Sequence, residues 1–333
     1  MNCVNGIRAV VEAHAQLKKP AVLATVIDTR GSSYRKAGAR MLIHADEVTG
    51  IVGGGCFDDD LIAQARQVHQ TGEPQTVLYD MTSPDDVLWG LGMGCNGAVT
   101  VFLQPVGPGI SDDPLPLVAE LVQSDAGGYV ATVVDCQTPD RLGASWIVGD
   151  GQPGPAMADA GLQKVDDELG LFVDHVEPPP KLGIFGAGAD ALPLADIAAQ
   201  TGWLVEVWDH RPGFAVASRF PMAERVSVFA DEKPEGIERC FAVVVMSHSF
   251  AADLRFLNTV ADVDIPYVGV LGPVARRQML LEQMGDKGPP LESRLRGPIG
   301  LDLGGELPEE IALSVVSEIQ LLRYRGSGRQ LSP

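Results

Sequence analysis

The chain has 333 residues, 45% hydrophobic and 21% charged, the composition of a folded protein with room for two cores. Its 44 acidic and 25 basic residues leave a net charge of −19, a surface that repels nucleic acid and anionic membranes and argues against both as partners. No apolar run reaches the ~20 residues that a bilayer requires, and no basic-then-apolar segment opens the chain, so a cytoplasmic location is expected.

In chain order, Ile7 to Leu17 has the spacing of a short helix and Ala21 to Asp28 that of an apolar, β-rich strand. A basic loop follows. Between Thr29 and His44 stand Arg30, Arg35, Lys36 and Arg40 with no acid among them, an anion-attracting stretch in an otherwise acidic chain. Ala39–His44 and Gly50–Val52 read as strands around a turn containing Asp46. After Cys56 the triplet Asp58, Asp59 and Asp60 precedes a helical pattern at Leu61, Ile62, Ala65 and Val68. Acids suit the positive end of a helix, and metal binding is the competing reading of the triplet. Gln75–Met81, Val99–Gln104, Tyr129–Cys136 and Ala144–Val148 read as further strands. Pro178-Pro179-Pro180 is a stiff break, dividing an N-terminal domain, residues 1–177, from a C-terminal one, residues 181–333.

Beyond the break the pattern alternates strand and helix: Lys181–Phe185, helix Asp190–Gln200, Leu204–Trp208, and later strands Phe241–Met246 and Tyr267–Leu271. Gly186-Ala187-Gly188-Ala189-Asp190-Ala191 matches the dinucleotide fingerprint between a strand and a helix. Gly186 turns the chain, Gly188 admits a pyrophosphate, and the helix N-terminus favours its charge. Asp209 falls about twenty residues later, where an acid meets the adenine ribose, while Arg211 would meet a 2′-phosphate instead. His248 follows an apolar strand at the ligand-binding edge of such a sheet. It either positions a ligand and moves a proton or is satisfied by the backbone. Arg276 and Arg277 read as a solvated face. Pro308-Glu309-Glu310 opens a final helix whose apolar face is Ile311, Val315, Val316, Ile319 and Leu322.

The five cysteines are odd in number and irregularly spaced, with no paired metal-ligand spacing, which points to free thiols in a reducing compartment. Cys3, Cys136 and Cys240 read as structural. Cys56, in Gly53-Gly54-Gly55-Cys56, and Cys95, in Gly92-Met93-Gly94-Cys95-Asn96-Gly97, differ because glycine on both sides lets the backbone approach a ligand. Soft thiolates suit metal or sulfur chemistry, and nearby cations would make them more reactive.

These blocks resemble the XdhC/CoxI family, accessory proteins of molybdenum hydroxylases such as xanthine dehydrogenase. The likeness rests on residues 30–41 (RGSSYRKAGARM), Gly54-Gly55-Cys56, Gly94-Cys95-Asn96-Gly97, Gly186-Ala187-Gly188, Asp209-His210-Arg211, Tyr267 to Pro273, Gly297 to Asp302 and Pro308 to Ala312. Residues 107–174 lie outside it. Asp58 and Gln104 depart from it, since glutamate is commoner at both places. The resemblance implies an α/β fold: an N-terminal α/β domain with a mixed sheet, then a Rossmann-like doubly wound parallel sheet, with the site between them. It implies a homodimeric chaperone that binds molybdenum cofactor (molybdopterin), assists its sulfuration with a cysteine desulfurase as donor, and inserts it into an apo molybdenum hydroxylase. Cys56 and Cys95 would hold metal or sulfur. Arg30, Ser32, Ser33, Arg35, Lys36 and Arg40, with Gly55, Gly94 and Gly97, would surround the cofactor and its phosphate. The competing readings are an NAD(P)-dependent oxidoreductase using Asp209 or Arg211 and His248, and a thiol switch pairing Cys56 with Cys95.

Overall fold

A computed structural model describes residues 4–45, 47–55, 57–81, 97–138, 141–149, 160–166 and 169–331. The chain forms two compact units, Met1–Pro178 and Pro179–Pro333.

The first unit opens on helix Val4–Ala15 and holds two sheets. Strands β1 (Ala21–Gly31), β2 (Arg40–His44), β3 (Glu47–Gly50), β4 (Gln75–Asp80) and β5 (Gly97–Val106) are ordered β3-β2-β1-β5-β4. Strands β6 (Gly128–Cys136), β7 (Ser145–Ile147), β8 (Gly161–Asp166) and β9 (Leu169–Val176) are ordered β7-β6-β9-β8. All pairings here among the described residues are antiparallel, so the α/β unit has two antiparallel sheets in place of a mixed one. Strands next to each other in sequence, such as β1–β2 and β8–β9, pair directly, without the crossovers that parallel pairing needs. The strand expected at Gly50–Val52 lies instead at Glu47–Gly50, because the turn at Ala45 (φ 53°) is tight and pairs His44 with Glu47.

Helix Asp58–Thr71 has its three acids in the first turn and buries Leu61, Ala65 and Val68, one face at helical spacing. Those residues pack on the sheet side formed by Val22, Ala24, Val26, Val101 and Leu103. On the opposite side Ile27 and Phe102 meet Val134 and Phe172 of the second sheet. β1 is therefore covered on both faces, which accounts for its unbroken apolar run.

Arg40 lies between the two sheets. It is only 6% exposed. Its Nη1 is 2.6 Å from Asp174 Oδ2 on β9 and 3.2 Å from the Gly38 carbonyl, while its Nε is buried without a hydrogen-bond partner among the described residues. The phosphate contact expected of Arg40 is thus corrected: its guanidinium is enclosed as a structural ion pair.

The second unit is one parallel sheet: β10 (Lys181–Phe185), β11 (Leu204–Asp209), β12 (Arg225–Val228), β13 (Cys240–Val245), β14 (Tyr267–Val270) and β15 (Leu295–Arg296). The order β12-β11-β10-β13-β14-β15 is that of a Rossmann fold, reversing between β10 and β13. Helices Ala191–Gln200 and Pro308–Tyr324 cover one face through Leu194, Ala198, Val315 and Ile319. Helices Phe250–Val260, Val274–Gln283 and Gly288–Glu292 cover the other through Phe256, Leu280 and Leu291. The face expected of the last helix holds except at its end, where Leu322 is 40% exposed.

Removing one partner of a buried ion pair leaves the other charge uncompensated, at a cost of about 3–5 kcal/mol. Asp174→Ala should therefore lower the urea midpoint of the first unit sharply, whereas the apolar double substitution Arg40→Met/Asp174→Leu should recover most of that loss.

Candidate functional site

Three stretches far apart in sequence meet at one edge of the first sheet. The β1–β5 register sets Arg30 beside Ala98 and Gly31 beside Gly97. A Cβ on Gly97 would lie 2.7 Å from the Arg30 carbonyl oxygen and would collide with that of Ser32, so the basic loop approaches only because Gly97 has no side chain. From that loop Tyr34, 67% exposed, reaches the third stretch, with its Cγ 3.6 Å from the Cβ position of Gly54. Beneath, Gly53 lies on Phe57 and on Asp58, whose Oδ1 is 3.0 Å from the Gly53 Cβ position. That oxygen is buried without a hydrogen bond among the described residues. Burial, with the charge of Asp59 beside it, holds the Asp58 carboxyl above its ordinary value.

Around this edge Arg30 is exposed, its Nε 3.4 Å from Asp28 Oδ2. Ser32 and Lys36 are exposed and Ser33 and Arg35 half-buried. Ser33 Oγ is buried without a hydrogen-bond partner among the described residues. Cys56, Cys95 and Gly94 lie outside the described residues. Gly55, next to Cys56 in sequence, has a φ of +90° and open space where a Cβ would point. The structural role of two other thiols is visible: Cys136 donates to the Thr138 carbonyl at 3.0 Å, and burial, then the charge of Glu206, pushes Cys240 up to about 12.

At the reversal point of the second sheet, Gly186 (φ +116°) has its Cβ position 2.5 Å from the Met246 backbone and 2.6 Å from Ser247 N, so glycine alone brings β10 and β13 together here. Asp209 is fully buried. Its Oδ2 accepts from Ala187 N–H at 2.7 Å and Arg211 Nη2 at 2.8 Å. Its Oδ1 accepts from Arg211 N–H at 2.8 Å and Nε at 2.9 Å. Burial pushes this carboxyl up, but the bonds from Arg211 and from the Ala187 and Arg211 backbone outweigh it and hold the carboxyl below its ordinary value. The Arg211 guanidinium lies 3.8 Å above the Phe214 ring.

His248, in the left-handed region at φ 58°, sets Nε2 2.6 Å from Asp190 Oδ2. The other oxygen of Asp190 is 2.6 Å from the Cβ position of Gly188. Behind them Asp253, 1% exposed, accepts from Ser247 Oγ and from Arg276 Nη2 at 2.7 Å. Arg277 donates to the carbonyls of Leu295 and Glu292 at 2.8 and 2.9 Å. Neither arginine is the solvated face expected of it.

Residues 182–319 match the XdhC Rossmann domain and residues 14–80 the XdhC and CoxI family. A relative from Bacillus subtilis (strain 168), named as a probable subunit of xanthine dehydrogenase, is 32% identical across 97% of this chain and 99% of its own length. The chain belongs to the XdhC and CoxI family. A second relative, the molybdenum cofactor insertion chaperone PaoD of Escherichia coli (strain K12), is 24% identical across 92% of this chain and 84% of its own. The crystal structure of a xanthine dehydrogenase from Bacillus halodurans superposes with a TM-score of 0.77 at 31% identity, covering 100% of this chain and 98% of that one.

In this member of the family the Rossmann geometry does not suit a dinucleotide. The lone pairs of Asp209 are taken by its own chain, which removes it as a ribose acceptor. Ala187 N–H, a donor on the phosphate loop, is committed to Asp209. Pro193, the third residue of helix Ala191–Gln200, brings no N–H, and the Asp190 carboxylate covers Gly188, where a pyrophosphate would sit. NADH should therefore give no saturable fluorescence change up to about 1 mM, a concentration that corresponds to ~4 kcal/mol of binding. Tight, saturable binding would mean that Asp190 yields its place.

Proposed function

We propose that this chain is an accessory protein that takes molybdenum cofactor as cargo, protects it and hands it to an apo molybdenum hydroxylase of the xanthine dehydrogenase type. One observation carries the reading. The basic loop of Arg30, Arg35 and Lys36, the glycines preceding Cys56 and the glycine following Cys95 meet at a single edge of the first sheet. The relative named as a molybdenum cofactor insertion chaperone, matched over most of both chains, supports it.

The three cations suit the cofactor's terminal phosphate, arginine by paired charge-assisted hydrogen bonds. Ser32 and Ser33 add hydroxyls, the open space beside Gly55 leaves room for the pterin, and Gly97 contributes by letting the basic loop approach. Cys56 and Cys95 supply soft thiolates to molybdenum or carry the sulfur that replaces an oxo ligand, with a cysteine desulfurase as the donor. Cations beside them favour the thiolate form. On this reading the protein carries its cargo without a turnover reaction of its own. It works in the cytoplasm as a homodimer, and His248 serves the second unit as a positioning residue. No helix among the described residues is long and apolar enough to cross a membrane.

The protein is to be purified without oxygen from cells that synthesise molybdenum cofactor. Bound pterin is read by fluorescence after oxidation and molybdenum by mass spectrometry in the same sample. Both should be stoichiometric with the chain, and Cys56→Ala and Cys95→Ala should each lose the metal while the fold is kept. Unchanged molybdenum in both variants would refute thiolate ligation. Arg35→Ala should weaken retention about tenfold at low salt, and less at high salt because screening removes the charge contribution.

A further inference from the structure

The first unit has a second concavity, at the other end of β1 from the thiol edge. It is a cleft of about 410 Å³ whose lining includes Lys19, Val22, Ile43, His44, Arg66 and His69. Val22 is the second residue of β1 and Arg30 the second from its end, so the eight residue steps from one to the other separate the two places by about 25 Å at the usual strand rise. No residue that carries the proposed function lies in it.

We propose that this cleft binds a small organic anion: an apolar body of ring size carrying one carboxylate or phosphate head. Three features point there. The volume falls within the range of small-molecule sites. The floor is apolar, with Val22 and Ile43 both buried in the sheet core. Among the described residues, the ionisable groups in the lining are all basic: Lys19 just before β1, His44 at the end of β2, and Arg66 and His69 three apart on one side of helix Asp58–Thr71. In a chain carrying −19, a cleft whose lining among the described residues holds no acid is a local reversal of sign, and low-dielectric walls strengthen its attraction for an anion. The C-terminal end of the helix brings about half a negative charge, which the fixed charges of Lys19 and Arg66 oppose. An apolar floor with a cationic rim selects neither a bare ion nor a neutral ring, but a molecule joining the two.

The test is calorimetric titration of the full-length protein with phenyl phosphate, against benzoate, benzyl alcohol and inorganic phosphate. Phenyl phosphate should bind saturably, with benzyl alcohol and inorganic phosphate each at least about tenfold weaker. Benzoate as tight as phenyl phosphate would assign the site to any anionic head, and much weaker benzoate would assign it to phosphate. Lys19→Glu and His69→Glu, both at exposed positions, should each reduce the affinity about tenfold, and Lys19→Glu, which lies outside the helix, should leave the thermal midpoint in place. Absence of saturable phenyl phosphate binding, equal binding of inorganic phosphate, or unchanged affinity in both variants would overturn the proposal. So would loss of binding in Arg35→Ala, which would move the anion to the thiol edge.

Discussion

The pairing of β1 with β5 is the constraint on which the first unit's chemistry depends. Their register carries the chain from Arg30 to Gly31 alongside Gly97 and Ala98, and the missing side chain at Gly97 allows the Ser32 carbonyl into the space a Cβ would fill. A single methyl group there would push the basic loop outward, away from β5. The bulge between Val26 and Asp28 adds local twist to β1 just before this point. It turns the strand's exposed end away from the buried stretch that anchors it.

The second unit keeps the strand order of a nucleotide-binding sheet while using its cradle for internal bonding. Asp209 ties the loop after β10 to the loop after β11 through Ala187 and Arg211. Asp253 ties the loop after β13 to Arg276, and Arg219 donates to the Ala187 carbonyl at 2.8 Å. Groups that would face a ligand in a dinucleotide enzyme here hold neighbouring loops to one another. Fold and function separate in this sheet. The same topology that places a phosphate at a helix N-terminus serves equally well when a side-chain carboxylate stands there.

Much of this is legible in the sequence, and the rest is not for identifiable reasons. Lys181–Phe185 is readable to the residue because a strand buried on both faces is an unbroken apolar run with a glycine after it. The glycines flanking Cys56 and Cys95 in sequence draw attention to this edge, where Gly97 admits the Ser32 carbonyl and Gly53 lies on Phe57. Arg40 misleads because a buried arginine and a phosphate-binding one look alike in a string of letters. Its partner Asp174 sits at the end of a stretch without motifs, and only tertiary packing brings the two sheets together. Asp190 is silent for the opposite reason: the fingerprint allows any residue there, and the letter alone does not disclose that its carboxylate folds back over Gly188. Leu322 fits the helical spacing, yet that spacing cannot mark where the core stops covering a helix.

The buried pair of Arg40 and Asp174 has a consequence for synthesis. Arg40 is made early, with the first strands of its sheet, and Asp174 belongs to β9, the last strand of the unit. Until β9 leaves the ribosome, the nascent first sheet exposes the face bearing Ile27 and Phe102 together with a guanidinium that has no counter-charge. The N-terminal unit therefore closes late, almost at the moment when the Pro178–Pro180 break emerges, and until then it is an aggregation-prone intermediate of the kind that chaperones hold. A protein whose proposed task is to shelter another molecule's cargo would itself need shelter while it is being made.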